Sequence, residues 1–458
     1  MEPLIDRNPA NGEVLATVEA ATTQEVHAAI ARARIAQPDW AARTADDRRQ
    51  QVLASLVDFA EIESELANTI TREMGKTRRS AIGEVRGYLA GVGETTQEIV
   101  RAIEPQRIAG ESVDTVVVRV PHGVVAAITP WNFPLGMPLS ILLPALVTGN
   151  SVVFKPSEHV PLTGELIHRT LARHLPEGVL ELVQGAGEVG AELVGGDIDM
   201  IGFVGSRDTG MRIMERAAGG LKRLVLELGG KDPMVVFADA DLDAAAECAV
   251  THSLRNTGQV CCSVERVYVE ANVADAFESK VLQFAKDWQH GDGFDEDVHM
   301  GPLVSEAQRE RVHAQVLDAV EGGARLLLGG VLPDGPGSYY PATVLADVGQ
   351  GLRITREETF GPVVALSRFA GGEAEAIALA NDTPYGLGAN VWTSDLERGQ
   401  RVAQALHAGQ VGINRYLAGA AGTPWVGARQ SGFGFLGGPE GHRQFTTPKT
   451  IGLAKPVV

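Results

Sequence analysis

The sequence predicts an α/β protein with more than one domain, and three observations lead to this fold class. The chain has 458 residues, which is longer than a single hydrophobic core usually supports. Between residues 123 and 228, short apolar runs alternate with stretches of helical pattern, as in a parallel sheet with helices on both faces. Polar residues and glycines follow these runs, at the rim where open parallel sheets bind ligands.

The first hundred residues are helical in character. Thr23 is a candidate N-cap for a helix with small and apolar residues on one face, and Pro38 is expected to end that helix. Apolar residues recur at helical spacing over residues 52–60 and again over residues 66–74. Residues 115–120 are apolar and β-branched, which indicates a strand in a protruding hairpin.

Five apolar runs form the predicted parallel sheet: residues 123–129, 151–154, 180–184, 200–204 and 224–228. Their carboxyl ends carry Trp131 and Asn132, residues 155–158, Gly185, Gly205 and Ser206, and Glu227. Because the carboxyl ends of parallel strands share one edge of a sheet, we expect all of these residues on one rim.

Charge and composition exclude several classes of partner. The net charge of −18 provides no basic field for a nucleic acid or an anionic membrane. The chain has no uncharged apolar run of the ~18 residues that a membrane span needs, and its first residues do not resemble a signal peptide. Three cysteines cannot form a disulfide framework, so we expect a reducing compartment, the cytoplasm. The histidines and cysteines lack the spacing of metal ligands, so we expect no metal.

A carboxylate and a thiol carry the chemistry that the sequence predicts. Glu227 opens the segment Glu-Leu-Gly-Gly-Lys, and Cys261 follows Gly258, Gln259 and Val260. A thiolate can attack a carbonyl carbon, and a nearby carboxylate can activate the water that releases the resulting thioester.

These two segments resemble those of the aldehyde dehydrogenase superfamily. The resemblance extends from Asn-Pro-Ala-Asn-Gly at residues 8–12 to Thr-Pro-Lys-Thr at residues 447–450, so it covers nearly the whole chain. It implies a Rossmann-like NAD-binding domain and an α/β catalytic domain, joined to a small β arm that makes a homodimer or homotetramer. The implied limits are 1–102 and 122–227 for the first domain, 228–435 for the second, and 103–121 and 436–458 for the arm.

The resemblance also implies a reaction, the NAD-dependent oxidation of an aldehyde to its acid through a thiohemiacetal and a thioester. Cys261 is then the nucleophile, with Cys262 one position away, and Glu227 is the general base. The Asn132 amide, in the segment Thr-Pro-Trp-Asn-Phe-Pro, is the donor to the oxyanion.

The coenzyme contacts follow from the same resemblance. Lys155 and Glu158 hold the adenosine ribose, and the carboxylate of Glu158 would repel a 2′-phosphate, which favours NAD over NADP. The helix that begins after Ser206 is expected to receive the phosphates. The full predicted set is Trp131, Lys155, Ser157, Glu158, Gly185, Gly205, Ser206, Leu228, Glu358 and Phe360. Residues 185–190 spell the pattern G-x-G-x-x-G, but not after the first strand of the unit; the resemblance implies that Gly185 lines the adenine side instead.

The substrate prediction depends on Arg255. Met137 and Trp425 match positions that line the aldehyde tunnel of relatives, and Arg255 stands where relatives often carry an aromatic residue. An arginine there can bind the distal carboxylate of a semialdehyde; alternatively it caps a helix or pairs with a nearby acid. Succinate-semialdehyde dehydrogenases commonly have an arginine where this chain has Ser140, and this departure counts against an acidic substrate. We therefore predict a small to medium aldehyde, with a carboxylate-bearing one favoured.

Three other functions are consistent with this scaffold. A CoA-acylating dehydrogenase releases the thioester to CoA, but members of that type typically lack the glutamate found at position 227. A non-catalytic binding protein would be indicated by loss of Cys261, Glu227 or Asn132, and all three are present. A reductase working toward the aldehyde stays open. Cys262 is either a packing residue or, with Cys261, a redox pair.

Overall fold

The computed structural model describes residues 1–417 and 419–454. The helices in these ranges are α1 Thr23–Ala41, α2 Ala45–Asp58, α3 Glu63–Met74, α4 Arg78–Ala102, α5 Gly136–Thr148, α6 Pro161–Ala172, α7 Gly187–Gly195, α8 Arg207–Ala218, α9 Leu242–Leu254, α10 Ala274–Ala285, α11 Glu306–Glu321, α12 Arg353–Arg356, α13 Gly372–Asn381, α14 Leu396–Ala405 and α15 Gly438–Arg443. Two 3₁₀ turns cover Arg255–Gly258 and Arg429–Ser431.

The strands of the same ranges are β1 Leu4–Arg7, β2 Val14–Val18, β3 Gln106–Ile108, β4 Val113–Pro121, β5 Val124–Ile128, β6 Ser151–Lys155, β7 Leu180–Leu182, β8 Met200–Val204, β9 Arg223–Glu227, β10 Asp232–Val236, β11 Val264–Glu270, β12 Arg325–Leu328, β13 Thr343–Ala346, β14 Val363–Phe369, β15 Gly388–Trp392, β16 Gln410–Ile413, β17 Trp425–Val426, β18 Gly432–Phe433, β19 Phe435–Leu436 and β20 Thr446–Ala454.

The first large sheet has the strand order β18-β9-β8-β5-β6-β7 and is parallel except for β18. Side chains on a strand alternate between the two faces. On β5, Val125 and Ala127 join one hydrophobic core, whereas Val124, Ala126 and Ile128 join another. Each face is therefore covered, which confirms the predicted helix-covered parallel sheet.

The second large sheet has the order β12-β13-β14-β11-β10-β15-β16 and is parallel except for β12. Its interior strand β10 sends Met234 and Val236 into one core and Val235 into the opposite one. The turn between β9 and β10 is the Glu-Leu-Gly-Gly-Lys segment, so this segment joins the two sheets.

A third sheet corresponds to the predicted arm. β20 pairs antiparallel with β4 along its whole length, from Thr446 opposite Pro121 to Ala454 opposite Val113, and β3 lies on the other side of β4. The expected hairpin strand at residues 115–120 is part of β4. The predicted arm extends to residue 458, and residues 455–458 lie outside the described part. The domain limits stay a prediction.

Helix α1 corrects two expectations. Its N-cap is Thr22, not Thr23, and the Thr22 and Glu25 side chains form a reciprocal capping box. The helix also continues past Pro38 to Ala41. Proline removes one hydrogen bond near the end of the helix, but Trp40 is buried there and its indole N–H donates to the Leu146 carbonyl at 2.9 Å. Tertiary packing therefore holds a last turn that local propensity disfavours.

In the described ranges, no helix is long and apolar enough to cross a membrane.

Candidate active site

A cleft opens where the carboxyl ends of β5, β8 and β9 meet the turn before β11 and the segment before β14. Nine of the predicted site residues line it: Trp131, Asn132, Met137, Gly205, Ser206, Glu227, Cys261, Glu358 and Phe360. All three predicted catalytic residues are in this group. Of the residues expected on one rim, those that follow β5, β8 and β9 lie together in this cleft, whereas residues 155–158 and Gly185 do not line it.

The turn that carries Cys261 has an uncommon backbone. Asn256, Thr257 and Gly258 all have positive φ, at 53°, 58° and 71°. A side chain at Gly258 would collide with the Gly361 carbonyl, so only glycine allows this approach. The surrounding protein holds the two non-glycine residues in place, as is typical of strained functional turns.

Hydrogen bonds hold this turn against the Asn132 loop. The Asn256 amide donates to the carbonyls of Asn132 and Gln259, each at 3.1 Å. The Gln259 side chain donates to the Asn256 carbonyl at 3.1 Å and accepts from the Val304 N–H at 2.9 Å. These contacts fix the position of the nucleophile turn relative to the predicted oxyanion donor. The sequence analysis assigned no role to Asn256 or Gln259, although Gln259 lies inside the quoted Gly-Gln-Val-Cys motif.

Glu227 is the last residue of β9 and is buried, with 5 % of its surface exposed. Its Oε1 accepts a hydrogen bond from Trp425 Nε1 at 3.1 Å, whereas its Oε2 is buried without a partner among the described residues. Burial raises the pKa of Glu227 to about 7, against the opposing effect of the Trp425 hydrogen bond. A carboxylate with this pKa and a free oxygen is suited to take a proton near neutral pH.

The two neighbouring thiols differ in access. Cys261 is half-buried and lines the cleft, whereas Cys262 is buried and does not. The hydrogen bond to Cys262, burial and the charge of Glu227 together raise the pKa of Cys261. Hydrogen bonds from Cys261 and Tyr416 lower the pKa of Cys262 to about 7, although burial opposes them. An aldehyde in the cleft can reach only Cys261, so access favours Cys261 as nucleophile.

Asn132 is buried and points one N–H at the Gln259 carbonyl, at 3.0 Å. An amide NH₂ group has two donors. The second donor of Asn132 remains for an oxygen in the cleft, which is what an oxyanion site requires.

One side of the cleft carries groups that could hold a dinucleotide. Helix α8 begins after Ser206, whose side chain caps it, and the first N–H groups of a helix attract phosphate. Glu358 accepts the Gly230 N–H at 3.0 Å, and a side chain at Gly229 would collide with the Glu358 carboxylate. Burial and the nearby Glu265 raise the pKa of Glu358 to about 8. A carboxyl group, a helix start and a glycine cradle therefore lie together.

Phe360 completes this side. It has a φ of 51°, and its ring lies edge-on to Trp131 with centroids 5.5 Å apart. Glu265 accepts the Thr359 and Phe360 N–H groups and pairs with the buried Lys231. The sequence analysis did not identify Glu265, because it lies 95 residues from the turn that it supports.

The other predicted coenzyme residues lie outside this cleft. The Lys155 ammonium is buried and 3.8 Å from a Glu158 carboxylate oxygen. Glu158 lines a different cavity, together with residues of β1 and α11. Ser157 precedes Glu158 and is buried. Gly185 packs against Val189.

Leu228 packs on Gly210 in the first turn of α8. Two residues that the sequence analysis missed, Gln308 and Arg311 of α11, do line the cleft. The Gln308 side chain donates to the Phe360 carbonyl at 3.0 Å. No pattern near Gln308 marks it, because its partner lies in a distant part of the chain.

Two predicted substrate residues stand beside the cleft. Trp425 binds Glu227, as described above. Arg255 directly follows α9 as its C-cap residue, and its backbone N–H donates to the Thr251 carbonyl. Its guanidinium lies over the Tyr416 ring, 4.9 Å from the centroid. Within the described residues Arg255 forms no ion pair with an acid, and its Nε is buried without a hydrogen-bond partner.

The described residues also contain no cluster of three or more histidine, cysteine or acidic side chains that could hold a metal.

A thiol that lines the same cleft as a buried carboxylate is the arrangement of an enzyme that can form a covalent cysteine intermediate at a carbonyl carbon. The model of the aldehyde dehydrogenase family matches residues 2–451. The chain belongs to this family, and it is an NAD(P)-dependent aldehyde dehydrogenase.

Individual members of the family are similar to this chain over most of its length. A glutarate-semialdehyde dehydrogenase of Pseudomonas putida is 40 % identical, over 97 % of this chain and 93 % of that protein. The NADP⁺ succinate-semialdehyde dehydrogenase GabD of Escherichia coli is 39 % identical, over 97 % and 94 %. The crystal structure of Staphylococcus aureus betaine aldehyde dehydrogenase with NAD⁺ superposes with a TM-score of 0.93 at 34 % identity, over 98 % and 91 % of the two chains. These similarities confirm the predicted family and fold class.

Proposed function

We propose that Cys261, Glu227 and Asn132 catalyse the oxidation of an aldehyde to its carboxylic acid, with water as the final acceptor of the acyl group. The observation that carries this proposal is the free, buried Oε2 of Glu227 in the same cleft as Cys261. With a pKa near 7, Glu227 can accept a proton from the water that releases the acid.

The steps follow from these groups. The Cys261 thiol loses its proton to solvent, and its sulfur bonds to the aldehyde carbon. The second N–H of Asn132 and the Cys261 backbone N–H stabilise the resulting oxyanion. NAD, held by the residues named below, would supply the acceptor for the hydride of this carbon. The oxyanion then collapses to a carbonyl, leaving a thioester on Cys261. Glu227 removes a proton from water, the water oxygen bonds to the acyl carbon, and the carbon–sulfur bond breaks to release the acid.

The coenzyme would lie along the rim of the first sheet. Ser206 and Gly205 would receive the phosphates at the start of α8, with Leu228 beneath that helix turn. Glu358 would hold the nicotinamide ribose, and Phe360 with Trp131 would pack by the ring. At the other end, Lys155, Ser157 and Glu158 would bind the adenosine ribose, and Gly185 would lie on the adenine side.

Release of the thioester to CoA is the competing function. Measuring NADH formation from an aldehyde, with and without CoA, separates the two. We expect steady NADH formation in water alone and free acid as the product. Turnover that requires CoA, or acyl-CoA as the main product, would contradict the proposal. The presence of Glu227, with its free oxygen, supports hydrolysis.

We further propose a preference for NAD over NADP. Glu158 is 41 % exposed at its side chain and lies beside Lys155. Changing Glu158 to serine should raise the kcat/KM ratio of NADP to NAD by about fivefold or more, because like charges ~4 Å apart near a surface repel by ~1–4 kcal/mol. The check is kcat/KM for both coenzymes in both proteins. An unchanged ratio would mean that Glu158 does not face the ribose.

The proposed substrate is an aldehyde with a distal carboxylate. Arg255 supports this proposal because it lacks an acidic partner among the described residues, and the two relatives named for semialdehydes are the more similar in sequence. Met137 and Trp425 would line the path of the chain to Cys261. The betaine aldehyde relative shows that the fold also hosts other aldehydes.

Changing Arg255 to leucine tests this substrate class. We expect KM for succinate or glutarate semialdehyde to rise ~10–100-fold, since a hydrogen bond to a charged group contributes ~1.5–3 kcal/mol. KM for butanal should change little. Arg255→Lys is the matched control, because it keeps the charge but not the planar fork. Equal effects on charged and neutral aldehydes would assign Arg255 to structure alone.

We also propose a homo-oligomer, a dimer or tetramer, that acts in the cytoplasm. The three-stranded arm has β20 paired with β4 over nine residues, and β3 ends the sheet on an exposed strand. The three cysteines are free thiols, which supports a reducing compartment. Light scattering at micromolar concentration distinguishes the oligomer from a monomer.

A further inference from the structure

We propose that Tyr416 is the positioning residue that aims Arg255 at the carboxylate of the substrate and ties it to the nucleophile turn. This inference rests on the proposed role of Arg255. Tyr416 follows β16 and is separated from Arg255 by 161 residues of sequence. It was not among the residues that the sequence analysis selected, and it reaches both Arg255 and the Cys261–Cys262 turn.

The aromatic ring of Tyr416 performs the first of two functions, which is to orient Arg255. The Arg255 guanidinium lies 4.9 Å from the ring centroid, and its Nη2 donates to the Tyr416 hydroxyl at 3.3 Å. His252 stacks on the same ring, with centroids 3.5 Å apart and the planes 4° from parallel. Cation–π contact and the His252 stack together limit the orientations open to the guanidinium.

The ring therefore orders the guanidinium of Arg255. Hydrogen bonds lower the pKa of the nearby Cys262 thiol, and the charge of Arg255 lowers it further. In the part of the chain that the structure describes, no acidic side chain pairs with Arg255, and its Nε is buried without a partner. The arginine side chain is then already ordered before a ligand binds, so less conformational entropy is lost when a carboxylate binds to it. A neutral aldehyde gains nothing from this arrangement. The effect of the ring should depend on the charge of the substrate.

The hydroxyl group of Tyr416 performs the second function, which is to hold the turn that carries Cys261 and Cys262. It donates to the Cys262 carbonyl at 2.6 Å, and the Cys262 sulfur lies 3.1 Å from the same oxygen. Cys262 directly follows Cys261, so this bond fixes the peptide next to the nucleophile. Its effect should be the same for charged and neutral aldehydes, because both react at Cys261.

Two variants separate the functions. Tyr416→Leu removes ring and hydroxyl, whereas Tyr416→Phe keeps the ring under Arg255 and removes only the hydroxyl. The measurements are kcat and KM for succinate semialdehyde and for butanal, with NAD binding and thermal unfolding as checks on folding. For Tyr416→Leu we expect KM for the semialdehyde to rise ~3–30-fold more than KM for butanal, the range of a cation–π contact. For Tyr416→Phe, which also removes the 3.3 Å hydrogen bond from Arg255 Nη2, we expect the ratio of the two KM values to change less than in Tyr416→Leu. We expect kcat to fall ~2–10-fold for both aldehydes, as for one lost hydrogen bond.

The double variant Arg255→Leu/Tyr416→Leu provides the decisive comparison. If Tyr416 acts through Arg255, the double variant loses no more selectivity than Arg255→Leu alone. Selectivity that falls in Arg255→Leu but stays at the wild-type value in Tyr416→Leu would overturn the inference and leave the proposed substrate class intact. Unchanged selectivity in Arg255→Leu itself would overturn the substrate class. A loss of selectivity in Tyr416→Phe equal to that in Tyr416→Leu would also overturn the inference, since the ring would then have no part in it.

Discussion

Replacing Cys261 with alanine is expected to reduce aldehyde oxidation by ~10⁴-fold or more while NAD binding persists. The sulfur of Cys261 forms the bond to the substrate carbon in the proposed reaction, and no other group that lines the cleft is a thiol. The coenzyme contacts proposed for α8 and Glu358 do not involve this side chain. NADH formation measures the activity, and titration of protein fluorescence with NAD measures binding.

Cys262→Ala is the matched control. Cys262 is buried, and its backbone carbonyl, which Tyr416 binds, is retained in alanine. We expect this variant to keep most of the activity. If Cys262→Ala were inactive and Cys261→Ala active, the nucleophile would be one residue away from the position that both the sequence and the access to the cleft favour.

Changing Glu227 to glutamine is expected to separate the two halves of the reaction. A single burst of NADH should form, and the later step should slow by ~10²–10⁴, the usual effect of removing a general base. The glutamine has nearly the same shape and can still accept the Trp425 N–H through its carbonyl oxygen. Rapid mixing with an aldehyde and NAD resolves the burst from the steady rate. Turnover at the wild-type rate would remove Glu227 from the mechanism.

The wild-type enzyme should also show the pKa of Glu227 in its pH profile. The base must be ionised to accept a proton from water, and burial raises its pKa to about 7. Release of the acyl group should therefore slow ~10-fold for each pH unit below 7 and level off above it. The glutamine variant should lose this dependence, because its amide does not titrate in that range.

The sequence predicted most of the first large sheet. β6 and β8 begin where the apolar runs at 151–154 and 200–204 begin, because buried parallel strands are marked by local composition alone. The residues after β5, β8 and β9 meet in one cleft as a consequence of parallel pairing, whereas Glu158, after β6, lines a different cavity. The helix end at Pro38 was wrong, since the deciding contact, from Trp40 to Leu146, joins residues 106 positions apart.

The residues that hold the site in place were harder to predict from the sequence than its reactive groups. Motifs identified Cys261 and Glu227 from their own neighbours in sequence. The left-handed turn at Asn256 and Thr257 depends on the close approach of Gly361, and the turn at Phe360 depends on Glu265. Such contacts link distant segments and leave no local pattern.

Arg255 shows the same limit. The sequence placed it near the nucleophile but left open whether it binds substrate, caps a helix or pairs with an acid. Its contact with Tyr416 comes from packing across 161 residues. A cation held by an aromatic ring, without an acidic partner in the described residues, is the arrangement that makes the substrate role testable.

The most direct test of the central claim is mass spectrometry of the Glu227→Gln variant after reaction with an aldehyde and NAD. We expect an acyl group, joined as a thioester, on the peptide that contains Cys261 and Cys262, with Cys261 as the modified residue. The adduct should appear only when NAD is present and should be absent in Glu227→Gln/Cys261→Ala. An unmodified peptide after NADH has formed, or an acyl group on Cys262, would contradict the proposed role of Cys261 as the nucleophile.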